Sequence, residues 1–156
     1  MRSIEASIDI RARPEAVFDL IHDYGRRLEW DTFLQEARLL DGARGAAVGV
    51  RALCTARSGF AGLAMETVYV TFERPRVAAV RMTRGPAILN TFAASLRQTE
   101  IEPGVTRVTY CFNFSTRPRW LRALLDRLAA ALFLRETRQR LSALKHRLEE
   151  RRGEAP

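Results

Sequence analysis

The sequence is poor in the residues that metal centres and nucleophilic sites use. Its 156 residues include only two cysteines and two histidines. Cys54 and Cys111 have no CxxC spacing, and His22 and His146 lie near opposite ends of the chain, so none has a partner at metal-ligand spacing. No GxGxxG, P-loop or GxSxG motif is present, which argues against a nucleotide site or a serine hydrolase. We therefore expect no metal, no cofactor and two reduced thiols.

Apolar runs long enough to cross a bilayer are also missing. The most apolar stretch, Leu121 to Leu134, is short and is interrupted by Arg122, Asp126 and Arg127. The first ten residues, MRSIEASIDI, alternate in polarity, whereas a signal peptide has a continuous apolar segment. These features predict a soluble, cytoplasmic protein.

Lysine is almost absent, since Lys145 is the single lysine among 26 basic residues. The formal net charge is +8, of which residues 1–116 carry +2 and residues 117–156 carry +6. The basic segment has no zinc-finger, RNA-recognition or interleaved aromatic pattern. We therefore do not expect nucleic acid to be a partner, in spite of the positive charge.

Alternating and helical periodicities give the order of elements. Residues 3–10 read as a half-buried strand, and Pro14 begins a helix that Gly25 ends. A second short helix is predicted over residues 26–33, and a long one over about 119–152. Further strands are predicted at 35–41, 47–56, 64–74, 77–84, 87–101 and 105–116, separated by turn signals. The order predicts a single α+β domain over residues 1–156, with a curved seven-stranded antiparallel sheet against the long C-terminal helix and a pocket between them.

Strand parity predicts which side chains line that pocket. In the last strand Tyr110, Phe112 and Phe114 share the inner face. On the preceding strand, residues 88, 90, 92, 94 and 96 are in phase, which places Asn90 inside with Phe92. A buried amide needs a hydrogen-bond partner, either in the protein or in a ligand. Asn90 and Tyr110 are the predicted pair of polar anchors, with a purely structural hydrogen bond as the other interpretation of Asn90.

The segment HDYGRRLEWDTF, residues 22–33, resembles an active site because it is crowded with polar groups. We interpret it as a joint between two helices. His22, one step round from the buried Ile21, is expected to be partly exposed at the helix end, where the dipole favours an imidazolium, and a role as general base is the less favoured alternative. Trp30 and Phe33 are each assigned either to the core or to the cavity wall. Phe60, between two glycines, is a candidate lid.

The C-terminal helix has apolar side chains on more than one face. One predicted stripe covers the sheet and consists of Leu121, Leu124, Leu125, Leu128 and Leu132. Beyond Leu141 the helix is expected to extend past the sheet, with the final turns near residue 150 frayed. Its leftover apolar side chains, flanked by arginine, suggest either a homodimer contact or peripheral contact with an anionic membrane.

Two segments carry a resemblance to a known family: ARPEAVFDLIHDYGRRLEWD, residues 12–31, and GVTRVTYCFNFSTRPRWLRALL, residues 104–125. With the order of elements, they resemble the START-like helix-grip superfamily, and within it the polyketide cyclase/dehydrase and lipid-transport (SRPBCC) family. The resemblance implies a deep apolar cavity under the long helix. The superfamily includes both carriers and aromatase/cyclases, so fold membership does not determine activity.

Three functions follow as hypotheses. The first is binding or carrying of a hydrophobic small molecule such as a lipid, a polyketide-like compound or an isoprenoid. The second is aromatase/cyclase or dehydratase activity on a bound chain, and the third is an interaction or membrane-surface module that uses the basic helix. No catalytic residue is assigned. The predicted ligand-binding residues are Trp30, Phe33, Asn90, Phe92, Tyr110, Phe112, Leu124 and Leu128.

Overall fold

In the computed structural model, residues 2–57 and 63–153 are described, and within them seven strands form one antiparallel sheet. The strands are β1 (Arg2–Ile10), β2 (Leu34–Leu39), β3 (Arg51–Ala56), β4 (Ala64–Glu73), β5 (Val77–Arg84), β6 (Leu89–Glu102) and β7 (Val105–Thr116). Their order across the sheet is β1-β7-β6-β5-β4-β3-β2. Two α-helices are described with them, α1 (Pro14–His22) between β1 and β2, and α2 (Arg122–Gly153) after β7.

The predicted α+β helix-grip architecture is confirmed, with differences in two short segments. The second helix before β2 is only one 3₁₀ turn, Arg27–Glu29, because its few residues are followed at once by the first residues leading into β2. β3 begins at Arg51 and not at residue 47, since a turn with Gly49 at φ +86° precedes it. The proposed lid residue Phe60 lies outside the described residues.

β6 and β7 form the long hairpin that the Pro103-Gly104 pair predicts. Gly104 has φ +77°, the left-handed value that the third position of a type II turn requires. The register pairs Phe92 with Phe114 and Leu96 with Tyr110. This pairing brings the aromatic side chains of both strands to one face of the sheet.

A β-bulge reverses the predicted orientation of Asn90. The register between β6 and β7 shifts between Leu89 and Thr91, so the residue between them is extra to the ladder. Leu89 is buried and Asn90 is exposed. Further along β6, Phe92, Ala94 and Leu96 lie on the inner face as predicted. The prediction of Asn90 as an inward polar anchor is therefore wrong. Its amide instead accepts a hydrogen bond from Arg117 Nε at 2.9 Å.

A buried carboxylate sets the rotation of α2 over the sheet. Asp126 Oδ1 accepts hydrogen bonds from the backbone N–H and the hydroxyl of Thr116, at 3.1 and 2.7 Å. This tie at the end of β7 turns the Asp126 side of the helix inward. Ala130 and Thr137, which follow at helical spacing, are buried on the same side. The predicted leucine stripe is therefore only partly correct. Leu125, Leu128 and Leu132 border the space between the helix and the sheet, whereas Leu124 is turned to solvent.

The second half of α2 packs on the main core and does not extend past it. Leu141 and Leu144 are buried in a cluster with Ile10, Val17 and Trp30. Leu148 packs against the same cluster. The expectation that the helix extends past the sheet beyond Leu141 is wrong, because this end of α2 packs against β1. No helix in the described part of the chain is long and apolar enough to cross a membrane.

Candidate ligand-binding cavity

A cavity of about 450 Å³ lies between the sheet and the first half of α2. The helix contributes Ala129 to the lining, where a larger residue would fill the space. The sheet opposite also contributes small residues, including Ala78 and Ala94. Most of the lining is apolar, and its larger members include Val80, Leu89, Phe92, Phe112 and Phe133.

Five of the residues predicted from the sequence line this cavity: Phe33, Phe92, Tyr110, Phe112 and Leu128. The aromatic members of β6 and β7 reach it together because the hairpin register brings them side by side. Phe112 contacts Phe133 of α2 with ring centroids 5.8 Å apart, so the sheet and the helix meet at this wall.

Trp30, Asn90 and Leu124 are not among the described lining residues. The bulge accounts for Asn90. Trp30 is buried, but it packs in the core cluster with Leu141, and the Arg27 guanidinium lies over its ring at 4.9 Å. Leu124 is 56% exposed because the hydrogen bond between Thr116 and Asp126 directs the opposite side of the helix towards the sheet. These three predicted positions are corrected accordingly.

The cavity has an exposed end and an enclosed end. Ile88 and Leu128 line it and are 45% and 60% exposed, which places them at a mouth. Arg140 also lines it, and at 1.5 Å per residue it lies about 18 Å further along α2 than Leu128. The cavity therefore runs along the helix, from an apolar mouth to an arginine-bearing end.

Two arginines share one buried carboxylate at the enclosed end. Asp31 is fully buried, and its Oδ2 accepts hydrogen bonds from Arg27 Nε at 2.9 Å and Arg140 Nη2 at 2.7 Å. Arg27 also donates to the Ile21 carbonyl, which fixes its guanidinium against α1. The cluster thus joins the α1–β2 connection to α2, and both arginines line the cavity.

The charges of this cluster stabilise one another in spite of burial. Burial acts to raise the pKa of Asp31, but the opposite charges of Arg140 and Arg27 and their hydrogen bonds lower it below its ordinary value. Burial acts to lower the pKa of Arg140, but the charge and hydrogen bond of Asp31, together with Tyr110, raise it above its ordinary value. All three groups are therefore ionised at neutral pH.

Sequence reasoning missed this cluster. Arg27 and Asp31 are four residues apart, a spacing at which side chains can pair, so that half was detectable in principle. Arg140 is 109 positions away from Asp31. It is one of many arginines on α2, and nothing in the sequence distinguishes it from the solvent-exposed ones.

Tyrosines surround the same end of the cavity. The hydroxyls of Tyr24 and Tyr69 are 3.1 Å apart and hydrogen-bonded to each other. Tyr110 also lines the cavity, and no hydrogen bond of its hydroxyl is found among the described residues. Burial raises the pKa of Tyr110, so its hydroxyl stays protonated and can donate a hydrogen bond.

His22 faces the cavity and is half-buried, as expected, but its ring is neutral and is not the imidazolium that the helix end was expected to favour. Its ring packs against Phe18, Phe72 and Tyr69, with centroids 4.2, 5.2 and 5.9 Å away. Burial lowers its pKa to about 4. Nδ1 lies 2.8 Å from the Phe18 carbonyl and donates to it, which leaves Nε2 unprotonated. The sequence reading erred because helix parity alone does not show that β4 lies over His22.

The two cysteines do not form a disulfide. Cys54, which lines the cavity, and Cys111 are both free thiols. Burial raises the pKa of Cys54, which makes it a poor nucleophile at neutral pH. No group of three or more potential metal ligands occurs within the residues that the structure describes.

Comparison with known proteins now identifies the family. The model of the family described as polyketide cyclase / dehydrase and lipid transport matches residues 1–149. The chain belongs to this family. No curated protein has significant sequence similarity to it.

Solved structures show that the fold of the polyketide cyclase/dehydrase and lipid-transport family is retained at low identity. The chain is similar to the aromatase/cyclase Zhui from Streptomyces sp. R1128, with TM-score 0.81 and 16% identity over 96% of this chain and 94% of that one. It is also similar to a START superfamily protein from Mycobacterium smegmatis, with TM-score 0.75 and 10% identity over 95% and 97%. At such identities the likeness establishes the fold alone.

Proposed function

We propose that this protein binds and carries a hydrophobic small molecule, such as a lipid, a polyketide-like compound or an isoprenoid. The observation that carries the proposal is the cavity of about 450 Å³, which is within the usual range of ligand pockets. Its apolar lining favours burial of a similarly apolar molecule. The exposed side chains at the mouth, Ile88 and Leu128, give such a molecule a route of entry.

Native mass spectrometry of the purified protein, followed by solvent extraction, tests this function directly. The expected result is a bound small molecule of apolar character, or saturable binding of the apolar dye Nile red by the empty protein. Failure of both would refute the proposal.

A cavity-filling variant connects that binding to the site. Ala129→Trp places a large ring in the cavity and should abolish Nile red binding. Ala131→Trp is the matched control, because Ala131 is exposed on the same helix and does not line the cavity. Equal loss in both variants, or in neither, would contradict the assignment of the cavity as the binding site.

Catalysis on a bound chain is the second candidate, and the observation that favours it is the neutral His22. Ring closure of a poly-β-ketone needs a base for an acidic carbon and a donor for a carbonyl oxygen. His22 Nε2 has a free lone pair for the first role, although its lowered pKa makes it a weak base, and the Tyr110 hydroxyl can donate in the second. Incubation with a synthetic β-polyketone should then give a cyclised product that the His22→Phe variant does not form. The same products with and without protein would exclude this function.

Peripheral membrane contact is proposed as the means by which the carrier collects its ligand. Trp120 and Leu124, 81% and 56% exposed, continue the apolar surface beyond the mouth. Arg119 and Arg127 are exposed beside them, and a tryptophan among arginines is suited to an anionic lipid surface. Wild-type protein should sediment with phosphatidylglycerol vesicles and a Trp120→Ser, Leu124→Ser variant should not. If sedimentation velocity shows that the wild-type protein is a dimer and that the variant is a monomer, the exposed face of α2 serves self-association instead.

A further inference from the structure

The charged side chains that line the cavity, Arg27 and Arg140, lie at its enclosed end. Arg27 and Arg140 donate to the same Asp31 oxygen. Tyr110 lines the same cavity and packs against the core cluster that contains Trp30 and Leu141, the residue next to Arg140. Tyr24 lies 5.9 Å from the Arg27 guanidinium, measured to its ring centroid. A molecule that fills the apolar part of the cavity would therefore place its innermost end against this group.

This end of the cavity carries an excess of positive charge. Among the described residues in the cluster, Arg27 and Arg140 contribute two positive charges and Asp31 contributes one negative charge. The nearby carboxylates Glu29 and Glu36 are both on the surface, and each already pairs with an arginine there. A buried charge without a partner is unfavourable. One negative charge on a ligand would complete the cluster.

The Arg140 guanidinium and the Tyr110 hydroxyl have hydrogen-bond donors that could bind a negatively charged group of a ligand. Arg140 uses Nη2 for Asp31, and no other hydrogen bond of its guanidinium is found in residues 2–57 and 63–153. Its side chain is 19% exposed, and since Arg140 lines the cavity, a bound molecule can reach it. The Tyr110 hydroxyl is a further donor in the same wall. Planar guanidinium donors match the two oxygens of a carboxylate.

We propose that the ligand is an apolar molecule that ends in a carboxylate, and that Arg140 and the Tyr110 hydroxyl bind this carboxylate beside Asp31. The inference rests on the proposed carrier function and specifies the chemical class of its ligand. The apolar chain extends from the cluster towards the mouth, along the first half of α2.

Two ligands that differ only in the head group test the proposal. Dodecanoate and dodecan-1-ol are titrated against Nile red bound to the wild-type protein at pH 7.5. Dodecanoate should bind about tenfold to a hundredfold more tightly, which is the effect of a charge-assisted hydrogen bond. Equal affinities, or tighter binding of the alcohol, would overturn the carboxylate assignment and leave the carrier function intact.

Arg140→Leu identifies the residue responsible. It leaves the Arg27–Asp31 pair electrically neutral, and it should remove the preference for dodecanoate while dodecan-1-ol binds as before. Arg138→Leu is the control, because Arg138 is exposed on the same helix and lies outside the cavity. A preference that survives Arg140→Leu would overturn the role of Arg140. If this variant does not fold, the affinity ratio in the wild-type protein still decides the ligand class.

The two levels of the proposal fail in different ways. Nile red that binds but is displaced by neither compound overturns the carboxylate inference alone. Absence of binding by Nile red, dodecanoate and dodecan-1-ol overturns the carrier function, and the inference with it.

Discussion

Lowering the pH from 7.5 to 5 should destabilise the wild-type protein more than a His22→Phe variant. His22 is enclosed by Phe18, Phe72 and Tyr69, and burial lowers its pKa from 6.5 to about 4. In the unfolded chain the imidazole takes up a proton near pH 6.5, whereas in the folded protein it stays neutral until about pH 4. Between these values the unfolded state binds more protons, so stability falls as the pH falls.

The size of the effect follows from the two pKa values. Each pKa unit corresponds to about 1.4 kcal/mol, and at pH 5 most of the interval between 6.5 and 4 has been crossed. The wild-type protein should lose about 2 kcal/mol from this residue between pH 7.5 and pH 5. The charged groups nearest the ring, Asp19 and Arg27, keep their charges in this window, because the Arg74 hydrogen bond lowers the pKa of Asp19 and the pKa of Arg27 is raised.

Urea denaturation at both pH values measures the difference. The quantity of interest is the change in unfolding free energy from pH 7.5 to pH 5 in wild type minus the same change in His22→Phe, which cancels the contribution of all other titrating groups. His146→Gln is the control, since His146 is exposed on α2, and it should retain the wild-type pH dependence. Parallel pH profiles of wild type and His22→Phe would refute the claim that the half-buried His22 is neutral.

Three further predictions concern the supports of the cavity. Asp31→Asn leaves two buried arginines without a counter-charge and should cost about 3 to 5 kcal/mol of unfolding free energy, whereas the surface change Glu29→Gln should leave the thermal midpoint nearly unchanged. Asp126→Ala removes the acceptor of two buried Thr116 donors and should cost about 1 to 3 kcal/mol for each, measured in urea. Gly104→Ala, at φ +77°, should cost about 1 kcal/mol, and no loss would contradict the left-handed turn.

Local patterns in the sequence are sufficient to predict the architecture. Alternation in residues 3–10 and 105–116, the Pro103-Gly104 turn and the long apolar C-terminal segment each predict an element that the structure contains. These signals are local, because side-chain periodicity follows directly from backbone geometry. For the same reason parity predicted Phe92, Tyr110 and Phe112 as part of one inner wall.

The errors arise where a single contact changes a periodic pattern. One extra residue in β6 turns Asn90 outward, whereas Phe92, Ala94 and Leu96 remain on the predicted inner face. One hydrogen-bonded carboxylate, Asp126, faces the sheet where a leucine stripe was predicted, and Leu124 faces solvent. Neither event alters composition or average periodicity, so neither is visible in the sequence alone.

The cavity and its charged end were decided only by the tertiary structure. A cavity is the space that packing leaves empty, and its volume depends on how small residues such as Ala129 and Ala94 are set opposite one another. The cluster of Arg27, Asp31 and Arg140 joins residues from the two ends of the chain, and burial gives it a strength that surface pairs lack. The sequence thus determined that a sheet closes on a helix, and the packing between them determined what that enclosure is suited to bind.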